Sequence, residues 1–351
     1  MAEELPDIVK ALQLQAGACA SMGSPLSATL LSKAADDWMA GGATRALLAP
    51  WADAGLKALF DAAVPLRLLA AWRELALSGA DPAVADAYAR LDADAIWAAV
   101  LPAMATHAER FAAFMTHEPQ TNEVRRSIAL LGGFLKVAAA TGLPLRLFEI
   151  AASAGLNLSW DRYRFEVDGG CWGDPDAKVR IDTDWFGAPP ALDAPVRVIE
   201  RAACDRRPTD LTDPDQRRRL VSYIWADQPE RLARLEAAID VALANGVRVE
   251  AADALDWVRE RVRPKVGAAT VLYHSVFWTY MSAGQQAALT AAIKELGAQA
   301  SSDAPFAWLR MEPKANDIST MDVRLTLWPG GEERLLGESH PHAAWVRWQG
   351  S

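Results

Sequence analysis

The stretch Leu145 to Asp161, LRLFEIAASAGLNLSWD, constrains the fold more than any other part of the chain. Leu145, Leu147, Phe148 and Ile150 form a short apolar run after a turn signal, Gly142 and Pro144, which predicts a buried strand ending at Glu149. Ala151, Ala152, Ser153, Ala154 and Gly155 follow, and side chains this small let a ligand approach the backbone. Leu156 to Tyr163 reads as a short helix whose first N–H groups would face the same place. Strand, small-residue loop and helix, in that order, are how a nucleotide-type pocket begins.

Up to about residue 141 the pattern is helical, with alanine and leucine at helical spacing and no β-alternation. Ser24 and Pro25 open one helix, Leu26, Leu30, Leu31, Ala34 and Trp38 fall near one face, and Gly41 and Gly42 close it. Further helices are predicted over 56–78, 82–91 and 93–115, with Pro65 and Pro102 as kinks or breaks. This predicts an all-α N-terminal domain over 1–118, followed by an α/β domain over 119–351. At the junction, Pro119-Gln120-Thr121-Asn122-Glu123 feeds a helix from about Asn122 to Ala140. Thr121 or Asn122 can cap that helix. Alternatively, Gln120, Thr121 and Asn122 sit beside the carboxyl end of the first strand and contribute to a substrate or cofactor pocket.

Beyond the loop, residues 163–184 read as a β-hairpin insertion, a lid or an oligomer contact. Val196 to Asp205 supplies the second strand, in which Glu200 and Asp205 compete as the acid that accepts from ribose hydroxyls. The small, apolar, acidic order Ala203-Cys204-Asp205 favours Asp205; a surface carboxylate beside Arg206 and Arg207 is the alternative. Two helices are expected over 213–226 and 229–244, with Arg217, Arg218 and Arg219 as solvated helix surface. Val247, Val249 and Ala251 lead into Asp253, which can also cap the following helix. The fourth strand, 269–273, stops at His274 and Ser275. His274 is the candidate for acid–base work, against a hydrogen-bonded core role among Phe277, Trp278 and Tyr280. Ser275 has no triad order and no G-x-S-x-G elbow around it, which argues against a hydrolase. Ser282 with Gln285 predicts a capping box, and a fifth strand over 306–311 precedes a terminal antiparallel hairpin. His340 and His342 invite a metal reading, but no third ligand is near them in sequence.

Glu149, Ala151, Ser153 and Gly155 stand in the register acid-x-G-x-G-x-G, which resembles class I S-adenosylmethionine-dependent methyltransferases with two of the three glycines replaced. Across nearly its whole length the chain is more similar still to a bacterial family, domain of unknown function 2332. The likeness is carried by Pro119 to Glu123, by Glu149 to Leu158 and by His340 to His342. The resemblance implies a Rossmann-like methyltransferase sheet with a terminal antiparallel hairpin and S-adenosylmethionine as cofactor. Glu149, Ala151, Ser153, Gly155 and Asn157 would hold its amino acid end, Asp205 its ribose and Asp253 its adenine. The helical domain would shape the acceptor pocket.

The 351 residues are ample for such a core, and the 14 tryptophans mostly sit inside apolar patterns. A formal charge of −9 disfavours nucleic acid, because nothing offsets repulsion between the protein and a polyanion. Cys19, Cys171 and Cys204 are too few and too scattered for a disulfide framework. Acidic residues near the start and the lack of a long apolar run lead us to expect a cytoplasmic protein with a small-molecule substrate and no membrane partner. A catalytically inactive metabolite- or partner-binding protein is the alternative, and a nicotinamide-dependent oxidoreductase ranks third, since lost glycines harm pyrophosphate binding most.

Overall fold

The structure, a computed structural model, describes residues 5–315 and 317–350. It divides into two compact units, one helical and one built on a large sheet.

The helical unit takes the chain up to Thr121 and a returning segment, Asp213–Ala233. Its helices include Asp7–Ser21, Pro25–Met39, Val64–Ser78, Pro82–Arg90, Ala93–Thr106 and Ala108–Met115. Ser24 caps the second by accepting from the Ser27 N–H, as its place before Pro25 predicts. The helix predicted over 56–78 is two, because Pro65 starts a new one after Ala63 turns left-handed; Pro102 is tolerated inside Ala93–Thr106. A boundary drawn once, at 118, misses the returning segment. Tyr223 and Trp225 bury their rings in the same apolar core as Leu12, Leu30, Trp72 and Phe111, and that burial draws the segment back.

The sheet unit has twelve strands among the described residues: β1 (Leu145–Ile150), β2 (Arg164–Val167), β3 (Gly170–Trp172), β4 (Arg180–Asp182), β5 (Asp184–Phe186), β6 (Val198–Asp205), β7 (Val249–Ala251), β8 (Ala269–Ser275), β9 (Phe306–Lys314), β10 (Asp317–Trp328), β11 (Glu332–Ser339) and β12 (Trp345–Trp348). Nine form one sheet in the order β5-β12-β11-β10-β9-β8-β1-β6-β7. From β7 to β9 all pairings are parallel, and every residue of β1 is buried, which explains why Leu145, Leu147, Phe148 and Ile150 are apolar on both faces. β10 and β11 add antiparallel pairings, so β11 runs in the same direction as β1. The insertion is more than a hairpin: β2, β3 and β4 make a small separate sheet with a parallel β2/β4 pair, while β5 joins the edge of the large one.

A helix over Arg126–Thr141 packs on the middle of the sheet, where Gly133 and Gly132 lie so close to Leu309 and Trp348 that an added Cβ would come within 2.3 and 2.2 Å of them. Helices Ala254–Arg261 and Ala283–Ala298 supply Trp257, Val258, Leu289 and Ile293 to a core shared with Phe148, Leu272 and Phe306. The capping box of Ser282 and Gln285 forms as predicted. No helix among the described residues is long and apolar enough to cross a membrane.

Candidate functional site

The chain leaves β1 for β6 and β7 on one side, then returns to β8 on the other, so strand order reverses at β1. Ligands of parallel sheets bind in the crevice outside the carboxyl ends of strands at such a reversal. The residues following β1, β6, β7, β8, β9 and β11 all lie at this edge, because those strands run in one direction.

The loop after β1 keeps the backbone of a glycine loop without the glycines. Ala151, Ser153 and Gly155 have φ of 55°, 55° and 73°. At Gly155 no other residue fits: a Cβ would stand 2.8 Å from Val247 and 2.9 Å from Val249. At Ala151 and Ser153 side chains are carried in a conformation that costs about 1 kcal/mol or more each. The surrounding contacts hold them there. Ala152 N–H donates to the Cys204 carbonyl at 3.0 Å, Ser153 N–H to Asp205 Oδ2 at 2.8 Å, and Gly155 N–H to the Ala152 carbonyl at 2.8 Å.

The predicted helix after the loop is a 3₁₀ turn, Leu156–Arg162, and its first N–H does not face a ligand. It donates to Asn122 Oδ1 at 3.0 Å, and Asn157 Nδ2 donates to the Glu123 carbonyl at 3.3 Å. Asn122 therefore does not cap the following helix, which begins only at Arg126; a φ of 36° turns it toward the loop instead. Gln120 and Thr121 are half-buried and belong to the helical unit.

Glu149 is 3% exposed and meets the Tyr273 hydroxyl, which donates to Oε2 at 3.2 Å and also lies 3.3 Å from the Asn157 carbonyl. Burial pushes its carboxyl up to about 8; the Tyr273 hydrogen bond opposes this and the negative Asp205 adds to it. The same burial raises Tyr273. Two further polar atoms on this path are buried without a hydrogen-bond partner among the described residues, Ser153 Oγ and Asn157 Oδ1. An unpaired buried polar atom is costly, so each calls for a reason.

Asp205 ends β6, as its spacing predicts, while Glu200 is taken by Arg146 at 2.6 Å. The Asp205 carboxylate accepts from Ser153 N–H and, at 2.9 Å, from Arg207 N–H. Asp253 is exposed and caps Ala254–Arg261 through the Leu255 N–H. Both acids thus hold backbone N–H groups.

His274 is buried and hydrogen-bonded at both ring nitrogens, as the core alternative expects. It has no exposed surface, its Nδ1 lies 2.6 Å from Glu312 Oε1, and its Nε2 accepts from the Trp308 indole at 3.0 Å. Both nitrogens are thus engaged within the protein, and Trp278 stacks on the ring at 5.3 Å. Glu312 also accepts from the Phe277 and Trp278 N–H groups, and so fixes the turn after β8. In that turn Val276, a β-branched residue, has a φ of 53°. Ser275 closes β8 half-buried. Tyr273 and Glu312 were not legible as site residues; a polar residue closing a buried strand is the signal that points to them.

His340 and His342 stand just after β11, at the same edge. Arg126 Nε donates to the Pro341 carbonyl at 2.9 Å, which ties this segment to the start of the helix that follows Asn122 and Glu123. Among the described residues no group of three or more His, Cys, Asp or Glu could hold a metal ion.

The segments Asn122–Arg126, Glu149–Leu158 and His340–His342, scattered in sequence, are therefore joined through direct hydrogen bonds around one sheet edge. No curated protein and no solved structure matches the chain. Residues 9–348 match the family described as an uncharacterized protein conserved in bacteria, domain of unknown function 2332, and the chain belongs to that family.

Proposed function

We propose that the protein is an S-adenosylmethionine-dependent methyltransferase acting on a small-molecule acceptor. The observation that carries this reading is the alternation of left-handed residues at Ala151, Ser153 and Gly155 directly after Glu149. Strain kept at two non-glycine positions marks a loop whose shape is used. The sheet supports the reading: its parallel strands, numbered as they occur, follow 3-2-1-4-5, the order of nucleotide-binding doubly wound sheets, with antiparallel β10 in the next place.

The residues present fit the donor. Ser153 Oγ and Asn157 Oδ1 are buried polar atoms without partners, and Glu149 is a buried carboxyl without a counter-charge; an ammonium and a sulfonium supply what all three lack. Asp205, at the end of β6, would take the ribose hydroxyls, and the exposed Asp253 can accept from an adenine amino group. When bound, the cofactor supplies an electrophilic methyl group. What the chain contributes is positioning, and holding an acceptor in line can remove several kcal/mol of the barrier, up to about 7 to 11 in favourable cases.

A second reading, a Rossmann-like metabolite-binding protein without turnover, draws on the backbone duties of Asp205 and Asp253.

Calorimetric titration with S-adenosylmethionine and S-adenosylhomocysteine, with NAD as control, tests the proposal. Micromolar binding of the sulfur ligands is expected, weakened by Asp205→Ala and Asp253→Ala. Ser153→Ala is the sharper probe, because it removes only an unpartnered hydroxyl. It should leave the unliganded fold as stable or about 1 kcal/mol more stable, while weakening binding roughly five- to tenfold. Absence of binding to both sulfur ligands overturns the donor assignment.

A further inference from the structure

We propose that the loop after β11 is a second binding element, in which His340 Nε2–H, beside Arg125, donates a hydrogen bond to the carboxylate of a small organic ligand. This does not require a sulfonium donor and rests on other residues.

The loop is held from several sides. His340 N–H donates to the Trp345 carbonyl at 3.0 Å, Ala343 N–H to the His340 carbonyl at 2.8 Å, Arg126 Nε to the Pro341 carbonyl at 2.9 Å, and Thr183 Oγ1 to the Ala343 carbonyl at 2.7 Å. Ala343 itself carries a φ of 51°, a strained turn kept in place by these contacts. The loop thereby fixes one imidazole. His342 N–H donates to His340 Nδ1 at 3.0 Å, so Nδ1 presents its lone pair and the neutral ring carries its proton on Nε2. Nε2 has no hydrogen-bond partner among the described residues, and the ring is half-buried. A histidine with one nitrogen committed to backbone and the other unspent is oriented as a donor.

The electrostatics select the ligand. Burial and the nearby Arg125 lower the affinity of His340 for a second proton, and Glu123 opposes them, so the ring stays a neutral donor near pH 7. Arg125 spends its Nε on the Asp182 carbonyl at 2.8 Å, but its Nη2 is 3.6 Å from a carboxylate whose side chain is 77% exposed. So loose and solvated a pair leaves the guanidinium charge available to an incoming anion. A planar carboxylate suits a guanidinium fork beside an N–H, and its single charge is repelled by Glu123 less than the double charge of a phosphate dianion would be.

The test uses the full chain, ¹⁵N-labelled, with long-range ¹H–¹⁵N spectra of the histidine rings. Sodium acetate is the probe and inorganic phosphate the comparison, for the wild type, His340→Gln and Arg125→Gln. In the wild type at pH 7.5, the ring whose signals vanish in His340→Gln should be the Nε2–H tautomer, and acetate should shift it saturably in the millimolar range. Arg125→Gln should raise the apparent dissociation constant roughly tenfold; it also serves if His340→Gln fails to fold. No saturable acetate shift, the opposite tautomer, or an unchanged response in Arg125→Gln overturns the proposal. A response to phosphate equal to or stronger than that to acetate overturns the carboxylate assignment. Homocysteine-ligand binding without an acetate response would sink this proposal alone; an acetate response without it would sink only the methyltransferase reading.

Discussion

A glutamate buried in the helical unit and one buried in the sheet unit are held under opposite terms. In the helical unit Glu74, 7% exposed, accepts from Arg110 at 2.9 and 2.7 Å and from Arg218 at 2.8 Å. In the sheet unit Glu149, 3% exposed, has one tyrosine hydroxyl and no cation. Burial raises both carboxyls; at Glu74 the two arginines outweigh it and the net shift is downward, while at Glu149 burial wins. The contrast teaches how to tell a structural buried charge from one kept for use. Glu74 is complete within the protein, whereas Glu149 lacks something that a cationic ligand would bring.

The comparison can be broken most decisively by pH. Glu149 is raised from 4.5 to about 8, so its contribution to stability is fully present below pH 4.5 and is lost as pH rises toward 8. The shift corresponds to roughly 4–5 kcal/mol across that interval. Glu149→Gln should remove this loss: denaturant titrations at pH 8 should find the variant more stable than the wild type, with a flatter profile between pH 5 and 8. A variant equally pH-dependent would show that Glu149 ionises freely. Glu74 has the reverse sign, since a lowered carboxyl stabilises above its unfolded value and loses that contribution as pH falls. Glu74→Gln leaves two guanidiniums without their carboxylate and should cost about 2–3 kcal/mol at pH 7, discounted from buried pairs because Arg110 and Arg218 are partly exposed. A loss under 0.5 kcal/mol would deny the pair its structural role. Smallest is the loop itself. Ala151→Gly and Ser153→Gly should each raise stability by about 0.5–1 kcal/mol, since glycine accepts positive φ freely, and thermal unfolding would detect it. A loss at either position would mean that its Cβ contributes more packing than the backbone strain costs.

Much of the fold was legible because it depends on local pattern. Leu145 to Ile150 had to be a buried strand, Ser24 and Ser282 had to cap helices, and the small residues after Glu149 had to form a tight loop. The site was legible only in part. Asn122 looks like a helix cap, yet its carboxamide is claimed by Leu156, 34 positions away. His274 looks like an acid–base residue beside a strand end, yet Glu312 and Trp308 claim both its nitrogens from the neighbouring strand. His340 looks like half of a metal site, yet its neighbour's backbone turns it into an oriented donor. Polar side chains are the ones that local pattern leaves undecided, since each has several possible partners.

By itself, then, the sequence determined which segments are buried, where the chain turns, and that a small-residue loop follows the first strand, because apolar periodicity and turn chemistry act over a few residues. Only the tertiary structure decided that Asp213–Ala233 returns to the helical unit, that Ala151 and Ser153 are held left-handed, and which of two candidate histidines keeps a free nitrogen. Apart from the His342 N–H bond to His340, two positions away, those outcomes rest on hydrogen bonds and burial between residues tens to hundreds of positions apart, and no local propensity encodes such pairings.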